Sequence, residues 1–71
     1  MIRIYKKTQV SHTHSAYLMV NDKNGQAIES LCTEDEIEKL KNILPCTEVS
    51  ERPNNFTKLP KSEEEEFFIN A

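Results

Sequence analysis

A single glycine, Gly25, serves all 71 residues of the chain. That scarcity excludes a glycine-rich phosphate cradle, where several small residues let backbone N–H groups close on an anion. Tryptophan is absent, and the two cysteines, Cys32 and Cys46, allow at most one bridge, so this is not a cystine-stapled scaffold. Long apolar runs are missing as well. The longest, Ala16-Tyr17-Leu18-Met19-Val20, is far short of a bilayer span. The opening residues, Met1-Ile2-Arg3-Ile4-Tyr5-Lys6-Lys7, place charge where a secretory signal needs an apolar stretch. The expectation is a cytoplasmic chain with reduced thiols and no membrane partner.

Charge is present but unevenly spread. The net charge is −3. Residues 1–31 carry four basic groups against two acidic ones, whereas residues 32–71 carry five against ten. The acidic half opposes simple phosphate-driven nucleic-acid binding by the whole chain. It also creates a dipolar surface able to steer encounter with a basic partner.

Periodicity gives the elements. Ile2, Ile4 and Val10 share one parity and Arg3, Tyr5, Lys7 and Gln9 the other, which predicts a half-buried strand over about residues 2–10. Residues 16–21 form a nearly continuous apolar strand and residues 26–31 a third. Between them, Asp22-Lys23-Asn24-Gly25 fits a type I turn closed by a left-handed glycine, a three-residue connection that sets Val20 opposite Ile28 and Tyr17 opposite Leu31. Thr33 and Glu36 form a capping box, opening a helix over about residues 34–44 that ends before Pro45. Ile37, Leu40 and Leu44 line one face of that helix, with Ile43 on its flank. Thr47–Ser50 reads as an edge strand, and Glu51–Lys61, with Pro53 and Pro60, as irregular. Ser62 with Glu65 offers a second capping box, so the tail has the signature of a short helix. The fold class is α+β: a small three-stranded antiparallel β-meander with one α-helix packed on one face. Residues 1–61 form the domain, and residues 62–71 an acidic-aromatic tail.

Four constellations bear on chemistry. His12 and His14 point the same way on an extended backbone and, with Cys32 and Cys46, would make a Cys2His2 zinc set. The cysteines are separated by 14 positions with no Cys-x-x-Cys, so the expectation is no metal and no cofactor. Cys32 lies beside a helix N-terminus that would lower its pKa, yet the chain offers no orienting third group or oxyanion hole, which predicts a non-enzyme. Arg3, Tyr5 and Lys7, with Tyr17 on the next strand, would make a base-stacking platform for nucleic acid. Last, Glu63, Glu64, Glu65 and Glu66 precede Phe67, Phe68 and Ile69. These three apolar residues either complete the core or anchor in a partner groove, with the charges speeding encounter.

The resulting expectation is a non-enzymatic protein-binding module, a stoichiometric inhibitor or regulator of a larger protein or nucleoprotein with a basic surface. Phage proteins directed at host machinery belong to this class, an analogy of class alone. The alternatives are a nucleic-acid mimic or binder and a zinc mini-domain. Homodimerisation through a sheet edge is a further route to assembly.

Overall fold

The structure, a computed structural model, describes residues Met1–Ala71. Its centre is the expected α+β meander: β1 (Ile2–Gln9), β2 (Ser15–Asn21) and β3 (Gln26–Cys32), paired antiparallel in sequence. Two further strands lie at the edges. β4 (Cys46–Val49) runs parallel to β1 and β5 (Thr57–Lys58) parallel to β3, so the sheet has five strands in the order β4-β1-β2-β3-β5. β4 is the edge strand expected over Thr47–Ser50, one residue earlier, whereas β5, two residues long, is too short for alternation to stand out from the surrounding loop.

The β2–β3 register differs by one residue from the one expected. Val20 faces Ala27, Met19 faces Ile28, Tyr17 faces Ser30 and Ala16 faces Leu31. Asn21 is the reason. Its side-chain oxygen accepts from the Lys23 N–H at 2.9 Å and its carbonyl from the Gly25 N–H at 2.9 Å, so the strand ends at Asn21, and Asp22, opposite Gln26 in the expected register, joins a four-residue loop, Asp22–Gly25. Gly25 takes φ +71°, a left-handed conformation that glycine adopts without Cβ strain. Because strand side chains alternate, a one-residue slip transfers every β3 side chain to the other face. Ile28 thereby joins Ile2, Ile4, Tyr17 and Met19 in one core, and Leu31 is left 51% exposed.

α1 (Glu34–Ile43) lies on that core face through Ile37, which is buried, and Leu40. Both halves of its capping box form: the Glu36 N–H donates to Thr33 Oγ1 at 3.2 Å, and the Thr33 N–H donates to Glu36 Oε1 at 2.9 Å. Leu44 is extended, as the residue before a proline must be. Ile43, expected on the flank of the buried face, is 76% exposed, since Ile37, Leu40 and Leu44 already fill the inner side.

The tail is part of the same body. After a 3-10 turn over Lys61–Glu63, α2 (Glu64–Ile69) places Phe67, fully buried, in the core with Ile2, Ile37 and Met19. Phe68 meets Phe67 edge-on at 5.2 Å, and Asn21 Nδ2 donates to the Asn70 carbonyl at 3.1 Å. The second capping box does not form: Ser62 is taken into the 3-10 turn, and the cap position falls to Glu63, which makes no side-chain cap bond.

The other sheet face carries Leu18, Val20 and Ala27, with Tyr5 and Phe56 against them. The segment joining β4 at one edge to β5 at the other supplies Phe56 and the buried Pro53, and Arg52 sits 5.6 Å from the Phe56 ring. This second cover explains why β2 reads as continuously apolar.

Candidate docking surface

Both helices are amphipathic and bury their apolar stripes against the same sheet face, which turns their charged sides outward together. The first turns of both are acidic: Glu34, Asp35 and Glu36 in α1, and Glu64, Glu65 and Glu66 in α2. Acidic side chains suit the positive end of a helix, so each cluster also serves its own helix locally. The two N-termini converge around Cys32. Its thiol is pushed up from its ordinary pKa by burial first, with the Glu36 and Glu64 carboxylates adding to the rise and a hydrogen bond to Ser30 opposing it. The lowering expected from the helix N-terminus is therefore reversed, because burial and two carboxylates outweigh the dipole.

Few of these carboxylates are neutralised. Glu38 and Glu48 share Lys41, each at 3.1 Å, Glu36 is held by its cap and Glu64 accepts from Ser30 Oγ at 3.4 Å. Glu34, Asp35, Glu63, Glu65 and Glu66 make no ion pair. On the other sheet face three basic groups are already paired: Arg3 with Asp22 at 2.7 Å, and Lys7 and Lys58 with Glu29 at 3.1 and 3.6 Å. The hydrogen bond from Lys7, aided by Lys58, holds the Glu29 carboxyl below the usual range.

The four candidate zinc ligands are not brought together. Cys32 pairs with Ser15 at one end of the sheet, and Cys46 pairs with Ile2 at the other end, three strands away. His12 and His14 lie in the β1–β2 turn, where Thr13 Oγ1 is 2.8 Å from His14 Nδ1. No three His, Cys, Asp or Glu side chains are grouped as metal ligands. The stacking platform is likewise dismantled by the pleat: Tyr5 pairs with Leu18 and Lys6 with Tyr17, so the two tyrosines lie on opposite faces.

Of the aromatic tail, Phe67 is consumed by the core and Phe68 is partly buried, whereas Ile69 is 75% exposed and the Glu63, Glu65 and Glu66 side chains face solvent. The sequence also left a cleft unnoticed. Between α1, β1, β2 and β4 lies a depression of about 340 Å3 lined by Lys6, Tyr17, Glu34, Asp35, Ile37, Glu38 and Glu48. Its members come from four elements that only folding brings together, and nothing in their spacing signals it. No helix is long and apolar enough to cross a membrane. Compared with known proteins, the chain matches no family model, no curated protein and no solved structure, so its function is to be read from this geometry.

Proposed function

We propose that this chain is a small non-catalytic protein-binding module whose acidic helical face docks on a basic surface of a larger protein, inhibiting or regulating it. The observation that carries this reading is the gathering of unpaired carboxylates from α1 and α2 on one side of the molecule, while Arg3, Lys7 and Lys58 on the other side are internally paired. Unpaired like charge on one face steers an oppositely charged partner. The exposed Ile69 beside Glu65 and Glu66 supplies an apolar contact within that face. The same charge row also supports a second reading, in which the partner's basic surface is a nucleic-acid site and the helices occupy it in place of phosphates.

The test is capture of partners from the native host's lysate with the wild-type chain and with a Glu63→Lys, Glu65→Lys, Glu66→Lys variant. A partner with a basic surface should be held by the wild type, lost from the variant, and released by salt. Competition with duplex DNA separates the two readings. A partner retained equally by both chains at high salt would remove the acidic face from the interface.

A further inference from the structure

We infer that the cleft between α1 and the β1-β2-β4 side of the sheet is a receptor for a single arginine side chain presented by a basic protein segment. The inference deepens the proposed function and rests on it for the nature of the partner. Two independent observations carry it. The first is charge: Glu34, Asp35, Glu38 and Glu48 line the cleft with one lysine, Lys6, and Lys41 from outside the lining pairs with Glu38 and Glu48, so Glu34 and Asp35 are left without an ion pair. The second is Tyr17. The residue is only 3% exposed, yet its hydroxyl has no hydrogen-bond partner in the protein. No buried side-chain polar atom is left unsatisfied, so the hydroxyl keeps an opening to the surface, and Tyr17 lines this cleft. A tyrosine oxygen held by the core and aimed into an acidic cleft is an acceptor fixed in place before any ligand arrives.

The chemistry selects the occupant. The unpaired Glu34 and Asp35 favour a cation, and both line the same cleft as Tyr17. The acceptors come from separate elements, Tyr17 from β2, Glu34 from α1 and Glu48 from β4, and so approach from different sides. A guanidinium presents five donors in a rigid plane and meets several such acceptors at once; an ammonium presents three from a point and is more strongly hydrated. Ile37 at the base gives the aliphatic stem an apolar wall. A divalent ion fits less well, because the carboxylates are not grouped as ligands to one point.

The experiment is a two-dimensional NMR titration of the full chain with three short acetylated, amidated peptides that differ at one position: arginine, lysine or citrulline. Citrulline keeps the shape and removes the charge. The arginine peptide should shift signals of Tyr17, Ile37, Glu34 and Glu48, the lysine peptide should bind more weakly, and citrulline should leave them unmoved. Tyr17→Phe keeps the ring in the core and should weaken arginine binding by about 2- to 10-fold, the range set by one hydrogen bond. Glu48→Gln should weaken it with the fold intact. Shifts confined to Glu63–Glu66 would overturn the cleft while leaving the acidic docking face standing. No response anywhere to an oligo-arginine peptide at low salt would overturn both. Equal shifts with lysine, or with magnesium that the arginine peptide does not displace, would assign the cleft to a general cation site and reject the arginine receptor.

Discussion

Thr33 and Glu36 satisfy two backbone donors that the first turn of α1 would otherwise expose, and each depends on the other for its geometry. Thr33→Ala removes the acceptor for the Glu36 N–H, and the expected loss is about 0.5–2 kcal/mol, read from the urea midpoint. The partner residue carries a pH signature. Hydrogen bonds from Thr33, backbone first and side chain second, hold the Glu36 carboxyl below the ordinary glutamate pKa. A carboxyl lowered by folding stabilises the folded chain above its ordinary pKa, and that contribution drains away as pH falls through the folded-state value. Glu36→Gln, which keeps the shape without the charge, should therefore be less stable than the wild type near pH 7 and approach it near pH 3. A midpoint difference that stays constant between those pH values would show that the charge of Glu36 is irrelevant to the cap.

At the scale of elements, α2 is the instructive case. Six residues cannot persist as an isolated helix, since nucleation is costly and this helix has no side-chain cap. It forms because Phe67 finds the space left by Ile2, Ile37 and Met19, and because Asn21 ties down the Asn70 carbonyl. Two neighbours in one helix should then behave in opposite ways. Phe67→Ala empties a fully buried aromatic site and should cost about 3–5 kcal/mol, enough to unfold a domain of this size. Ile69→Ala, at a position 75% exposed, should stay within about 0.5 kcal/mol of the wild type. Circular dichroism during urea titration checks both. Comparable losses at the two positions would mean that α2 docks with another face.

The whole molecule is a sheet wrapped on both sides by its own chain. α1 carries the chain from β3 across one face to β4 at the far edge, and the Ser50–Phe56 segment carries it back across the other face to β5. The result separates charge by layer, with unpaired carboxylates on the helical side. If that side exists for docking, its acidic residues should contribute little to stability. Replacing Glu63, Glu65 and Glu66 together by glutamine should change stability by no more than about 1 kcal/mol, because no ion pair is lost and relief of like-charge repulsion offsets the lost attraction to the α2 N-terminus. Both opposing contributions are electrostatic, so salt should shrink whatever difference remains. A marked loss of stability would show that these carboxylates serve the fold.

Local rules were enough for the meander, the α1 cap and its proline stop, because alternation, capping and proline sterics act within a few residues of themselves. The acidic character of the C-terminal half was equally plain in the sequence. Register was not, since it turned on whether Asp22 stayed in the ladder or joined the loop, and the Asn21 side chain at that junction is also tied to Asn70, 49 positions away. The fate of the tail was open for the same reason: Phe67 is apolar whether it docks or folds back, and only the space beside Ile2 and Ile37 decided between them. The cleft around Tyr17 is the extreme case. In the chain Tyr17 is one apolar residue in an apolar run, and only packing against α1 and β4 gives its hydroxyl acidic neighbours. Contacts within a turn of helix or a pair of strands are encoded by their own residues, whereas a site assembled from separate elements is encoded only by the way those elements pack.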